Sequence, residues 1–79
     1  MPIVLRIGAY RFGFFASDRS EPPHIHVRRE RKKAKFWLVP KVHLVRSERF
    51  ARHELNELRR TVVEHRAYLL KKWHEFFDE

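Results

Sequence analysis

Two hydrophobic periodicities divide the chain. Up to about residue 45, apolar and polar side chains tend to alternate, as in the run Lys33-Ala34-Lys35-Phe36, and a period of two is typical of half-buried strands. From about Arg52, apolar residues recur every three or four positions, as on one side of an amphipathic helix. That stripe comprises Leu55, Leu58, Val62, His65, Leu69, Trp73 and Phe76. The pattern predicts strands first and helix last.

The first two predicted strands form a β-hairpin. Ile3 to Ile7 and Tyr10 to Phe14 both carry the alternation, and only Gly8-Ala9 separates them. Glycine at the first central position of a two-residue connection suits a type II′ turn.

Two further strands are predicted after a proline-containing loop, over residues 24–28 and 33–38, with a charged turn between them. Residues 42–45 form either a short fifth strand or part of a loop. In the third strand, strand alternation places His24, His26 and Arg28 on the face opposite Ile25 and Val27.

The C-terminal stripe predicts either one helix of about 25 residues or two consecutive helices joined near Glu64-His65, and no glycine or proline forces a break. Its apolar side should pack on one face of the sheet. We therefore predict a single α+β domain over residues 1–79: an antiparallel sheet of four to five strands against one or two C-terminal helices.

The net charge of the chain indicates which classes of partner it would attract. Lys and Arg number 18 against 10 Asp and Glu, giving a net charge of +8. Such a field attracts polyanions, with nucleic acid first, an acidic protein second and an anionic membrane third. The alternative is a merely solubilising surface.

The absence of cysteine and the sequence of the first residues indicate in which cellular compartment the protein is expected. No cysteine is present, which excludes disulfides and thiolate metal sites and fits a reducing compartment. The first residues lack the apolar core of a signal peptide, and no apolar run approaches the roughly 20 residues of a membrane span. We expect a cytoplasmic protein without membrane association.

The strongest candidate for chemistry is the His24-Ile25-His26 pair that follows Glu21-Pro22-Pro23. Two histidines two positions apart on a strand share a face. They can act as general acid and base around a phosphate, ligate a metal ion, or simply face solvent. Asp18 is the candidate carboxylate partner, although from the residues alone an Asx-turn role suits its loop position better.

The third strand runs into a basic stretch that predicts phosphate contacts. Its cations are Arg28, Arg29, Arg31, Lys32, Lys33 and Lys35. Phe36 suits core packing, whereas Trp37 is open to stacking on a base. His65, in the apolar stripe, is either a core histidine bonded to a backbone carbonyl or a residue that supports the histidine pair.

These residues also resemble a known family, the bacterial domain-of-unknown-function family 4160. The resemblance rests on Ile7 to Phe12, Ser17-Asp18, Glu21 to Val27, Lys33 to Leu38 and the closing Glu64 to Phe77. It implies one half of a two-gene toxin–antitoxin module, beside a partner of family 2442. Arg19 stands where members commonly carry histidine, which weakens a metal site that used that residue and still suits phosphate binding.

Together, charge and resemblance predict a toxin-like component of a type II toxin–antitoxin module that binds RNA. In the hypothesis that it also cleaves RNA, it is a metal-independent ribonuclease without a cofactor. His24 and His26 would be its acid and base, and Asp18 would orient an imidazole. The RNA would be bound by the cations of the basic stretch together with Arg19 and Trp37. His65 would support the site. An antitoxin-like partner would mask the basic face, and self-association is compatible with the sequence.

Two alternatives stay open. The first is a non-enzymatic basic module that binds nucleic acid or protein, as an antitoxin or adaptor does. The second is a histidine-based metal protein. No Gly-rich phosphate loop, nucleophile elbow or His-Glu-x-x-His motif points to another enzyme class.

Overall fold

The computed structural model describes residues 1–78 and has an α+β fold, as predicted. Five strands precede two α-helices, and a short 3-10 helix lies between the second and third strands. The elements are β1 (Ile3–Ile7), β2 (Tyr10–Gly13), a 3-10 helix (Ala16–Ser20), β3 (His24–Arg29), β4 (Lys32–Trp37), β5 (His43–Glu48), α1 (Arg52–Glu64) and α2 (Arg66–Phe77). Neither α-helix in this part of the chain is long and apolar enough to cross a bilayer.

The sheet is a meander in the order β1-β2-β3-β4-β5, with every neighbouring pair antiparallel. The predicted β1–β2 hairpin is confirmed, and Gly8 in its turn has φ +57°, a left-handed conformation that glycine adopts without a Cβ penalty. The β3–β4 turn contains Glu30 at φ 54°. Residues 42–45, for which the sequence allowed either a strand or a loop, lie mostly in strand β5.

The core lies between one sheet face and the two helices. Phe12, Ile25 and Phe36 from the sheet are fully buried, as are Val62 and Leu69 from the helices. The strand residues belong to one face because they alternate with polar residues. The helical residues belong to the predicted apolar stripe, so its packing against the sheet is confirmed.

The apolar stripe is carried by two helices rather than one, with the break at His65. The Thr61 carbonyl accepts the His65 backbone N–H at 3.0 Å and lies 2.9 Å from its Nδ1. His65 therefore makes the backbone-carbonyl contact that is expected of a structural histidine. Its ring contacts neither histidine of the pair within the described residues.

The end of α2 packs over the loop that precedes β3. The Trp73 ring lies 5.1 Å from that of Phe14 and 5.0 Å from that of His24, measured between centroids. The Arg19 guanidinium donates to the Phe77 carbonyl at 2.9 Å. The C-terminal helix thus reaches the region of the histidine pair.

Candidate functional site

The register of β3 and β4 gathers polar residues on the sheet face opposite the core. It pairs His24 with Trp37, His26 with Lys35, and Arg28 with Lys33. Directly opposed residues in an antiparallel pair share a face. The predicted placement of His24, His26 and Arg28 on one face is therefore confirmed, and Lys33, Lys35 and Trp37 share that face.

Asp18 lies between the two histidines. Its Oδ2 atom is 3.0 Å from Nε2 of His26 and 3.2 Å from Nε2 of His24. The same oxygen accepts the Phe15 backbone N–H at 2.8 Å, which fixes the carboxylate on the 3-10 helix. Asp18 thus combines the local turn role with contact to both imidazoles.

His24 is a fully buried side chain, 0% exposed. Its Nδ1 lies 2.9 Å from the Pro22 carbonyl oxygen, and because a carbonyl can only accept, Nδ1 carries a proton. Within the part of the chain that the structure describes, its Nε2 makes no hydrogen bond despite the short distance to Asp18. Aromatic rings of Trp37 and Trp73 flank it, with centroids at 5.5 and 5.0 Å, so His24 does not face solvent.

His26 is the more accessible of the pair, with 13% of its side chain exposed. The Phe15 ring meets it edge to face, with centroids 4.7 Å apart. Burial lowers the pKa of His26 below its usual value, and the Asp18 carboxylate only partly opposes this effect. The imidazole is consequently neutral at neutral pH.

A pocket of about 170 Å³ opens beside His26. Arg28, Lys33 and Arg46 line it from three adjacent strands, and the acidic side chain in its wall is that of Glu48. β5 contributes because Arg46 pairs with Lys35 and Glu48 with Lys33. The pocket is therefore predominantly basic.

Lys35 also lines the pocket, but its charge is already paired with that of Glu21. It is 6% exposed, its Nζ lies 2.6 Å from Oε1 of Glu21, and it sits 4.9 Å from the centroid of Trp37. The hydrogen bond from Lys35 lowers the pKa of Glu21 below its ordinary value. Lys35 and Trp37 thus have partners within the protein.

Other residues predicted to bind RNA lie elsewhere. Arg19 donates to Phe77, Arg29 contacts the Tyr10 hydroxyl at 3.4 Å, and Lys32 pairs with Glu54 at 2.8 Å. Arg29 and Lys32 oppose each other on the core-side face of the sheet, because strand alternation separates them from Arg28 and Lys33. Arg31 is exposed in the β3–β4 turn. RNA contact by any of them stays a prediction.

Several site residues were not predicted. Arg46 and Glu48 were missed because the sequence left residues 42–45 open between strand and loop, and the pairing of β5 with β4 is what brings them to the pocket. Phe15, Glu21 and Trp73 approach through loop and helix packing, for which the sequence carries no local signal.

The cluster of Asp18, His24 and His26 permits two kinds of chemistry. A carboxylate that accepts an imidazole N–H can orient that ring as a general base. Alternatively, one donor atom from each residue lies within 4.8 Å of the others, a grouping compatible with metal coordination. The catalytic roles assigned to the three residues stay predictions, although the structure does bring them together.

Comparison with known proteins identifies the family. No curated protein and no solved structure matches the chain significantly. The family model described as a domain of unknown function (DUF4160) matches residues 9–74, a span that contains Asp18, both histidines and the three strands around the pocket. Since this match covers most of the chain, the protein belongs to the DUF4160 family.

Proposed function

We propose that this protein binds RNA through the pocket beside His26, as the toxin-like component of a bacterial type II toxin–antitoxin module. The observation that carries the proposal is the convergence of Arg28, Lys33 and Arg46 around one pocket. None of the three forms an ion pair with another described residue. Their charges are therefore available to a ligand.

Phosphate is the chemical group that best fits such a pocket. Guanidinium groups bind phosphate oxygens through two parallel hydrogen bonds, and a lysine adds a point charge. Because RNA binding releases counterions, free cations on a protein surface are the usual source of affinity for its backbone. The net charge of +8 would add long-range attraction.

The test is a salt titration of single-stranded RNA binding, followed by fluorescence anisotropy. The pocket variant is Arg28→Gln, Lys33→Gln, Arg46→Gln, and the matched control is Arg59→Gln, Arg60→Gln, Lys71→Gln on the exposed helical surface. Both remove the same charge. Since each lost phosphate contact lowers the slope of log affinity against log salt by about 0.7 for single strands, we expect a decrease of about 2 for the pocket variant.

The control variant should retain most of the wild-type slope. Equal losses in both triple variants would mean diffuse attraction to the whole surface, and the assignment of RNA to this pocket would be wrong.

An antitoxin-like partner of the family 2442 type is the second ligand in this proposal. An acidic surface would be attracted to the same three free cations, so the partner would compete with RNA. Co-expression with such a partner should show loss of the complex for the pocket variant and retention for the helical control.

RNA cleavage is a second candidate, favoured by the 3.0 Å contact between His26 and Asp18 at the pocket wall. With Nε2–H donated to Asp18, Nδ1 of a neutral His26 would hold the lone pair that removes the ribose 2′-hydroxyl proton. The 2′ oxygen would attack phosphorus, the bond to the 5′ oxygen would break, and water would protonate the leaving oxygen. The buried His24 cannot reach the phosphate from its position and would act only through Asp18.

Cleavage is checked by incubating labelled RNA with the wild type, His26→Ala, and His24→Ala combined with His26→Ala. His43→Ala, at an exposed position outside the pocket, is the control. We expect a loss of about 100-fold or more for His26→Ala, as for other general bases. Undiminished cleavage by the double variant would rule out this mechanism, and an RNA with a 2′-deoxy residue at the cut should resist the wild type.

A further inference from the structure

We propose that Asp18, His24 and His26 form a binding site for one divalent transition-metal ion, with Zn²⁺ as the best match. This proposal does not rest on RNA binding. The sequence alone predicts a metal-independent site, whereas the close approach of the three side chains in the folded protein favours a metal ion.

The first support is the geometry of the donor atoms. Oδ2 of Asp18 lies 3.0 Å from Nε2 of His26 and 3.2 Å from Nε2 of His24. In a tetrahedral zinc site with bonds of about 2.1 Å, neighbouring ligand atoms are about 3.4 Å apart. The two distances to Asp18 are thus within a few tenths of an ångström of those in a zinc site, and all three donor atoms lie within 4.8 Å of one another.

The second support is the buried nitrogen of His24. Its Nδ1 proton is directed to the Pro22 carbonyl, so Nε2 is the ring nitrogen that is left to face the cluster. That atom is inaccessible to solvent and makes no hydrogen bond to any residue from 1 to 78, yet it faces a carboxylate oxygen at 3.2 Å. A buried polar nitrogen without a hydrogen bond is unfavourable, and a cation held between Nε2 and the carboxylate would satisfy both atoms.

The third support is the set of groups that orient the ligands. Metal-binding histidines commonly donate their other ring N–H to a backbone carbonyl, which fixes the tautomer, and His24 contacts Pro22 in this way. The ligating oxygen of Asp18 also accepts the Phe15 N–H at 2.8 Å. These contacts hold two of the three ligands in place without the metal.

The donor set selects the class of metal. Two imidazole nitrogens and one carboxylate oxygen, without thiolate, suit zinc and other borderline divalent ions rather than Mg²⁺ or Ca²⁺. Position 19 is not required, because Arg19 is directed to the Phe77 carbonyl. A three-residue set leaves a fourth position for water or a ligand.

The experiment uses protein made without an affinity tag, stripped with EDTA and titrated with zinc by calorimetry. We expect one zinc per chain and a higher unfolding temperature for the loaded protein. Since even partners outside the ligand set alter metal affinity 10- to 100-fold, Asp18→Asn and His26→Gln should each weaken binding at least tenfold. X-ray absorption of the loaded protein should show two imidazole nitrogens and an oxygen as ligands.

The controls are His43→Gln and His53→Gln, two exposed histidines that should leave affinity unchanged. The buried His24 is not varied alone, and far-UV circular dichroism confirms that the two ligand variants remain folded. Absence of zinc binding, or equal affinity in ligand and control variants, would overturn the proposal.

The outcome is separable from that of the RNA proposal. RNA affinity is measured in EDTA and depends on Arg28, Lys33 and Arg46, none of which is a ligand. A zinc ion held by Nε2 of His26 would also break its hydrogen bond with Asp18. Cleavage by the acid–base route should consequently proceed in EDTA and fall when zinc is added.

Discussion

Two lysines of β4 point to opposite faces of the sheet, and each meets a glutamate from a distant part of the chain. Lys35 pairs with Glu21 at 2.6 Å, and Lys32 pairs with Glu54 at 2.8 Å. The cations of the basic stretch consequently differ in whether their charge is free to bind a ligand. Lys33 lies on the same face as Lys35, but it forms no ion pair with another described residue, so its charge is free beside the pocket.

Glu54 makes stability dependent on pH. Hydrogen bonds from Lys32 and the Ala51 backbone lower its pKa below the ordinary value of 4.5. A carboxylate with a depressed folded-state pKa contributes stability above its unfolded pKa, and that contribution is lost as pH falls through the folded value. Glu54→Gln should lower the unfolding temperature at pH 7, and the difference from wild type should shrink below about pH 4.

Thermal unfolding followed by circular dichroism at both pH values checks this expectation. Glu57→Gln, at an exposed position on the same helix, should show little effect at either. A difference for Glu54→Gln that persisted unchanged at low pH would contradict an ionic origin.

Among the elements, the assignment of β5 was uncertain for a local reason. The pairing of β4 with β5 shifts register between Lys35 and Phe36, so that Arg46 opposes Lys35 while Leu44 opposes Phe36. Val45 falls at the irregularity and is 36% exposed. This bulge interrupts the alternation of β5, which is why the pattern alone did not distinguish strand from loop.

The break between α1 and α2 has a different origin. One apolar stripe continues through it, and no glycine or proline occupies it. His65 ends α1 with φ −102° and ψ 12°, and the Arg66 guanidinium donates to the Leu38 carbonyl at 2.6 Å. A contact with the end of β4 therefore anchors the start of the second helix, and such a contact leaves no local trace in sequence.

For the whole molecule, the end of α2 closes the core and covers His24. Trp73 is 4% exposed and packs on Phe14, His24 and Phe77, the last with ring centroids 4.2 Å apart. In a domain whose total stability is about 5–15 kcal/mol, one such residue contributes a large share. The helix thus links stability to the enclosure of the histidine pair.

Trp73→Ala should lower the free energy of unfolding by about 3–5 kcal/mol, because it leaves a large cavity in the core. Denaturant unfolding measures the effect. Val63→Ala, a truncation on the exposed side of α1, should change stability by no more than about 0.5 kcal/mol. Similar losses in both variants would show that α2 does not close the core.

The α+β class, the first hairpin, the helical stripe and the shared face of His24 and His26 could all be predicted from the sequence alone. These properties follow from periodicity and turn chemistry, which act between near neighbours. Only the tertiary structure decided that Asp18 lies between the histidines, that His24 is buried beneath Trp73, and that Arg46 joins the pocket. These features depend on contacts between residues that are not immediate neighbours in the chain, because packing and strand register, rather than local preference, set the positions of the side chains.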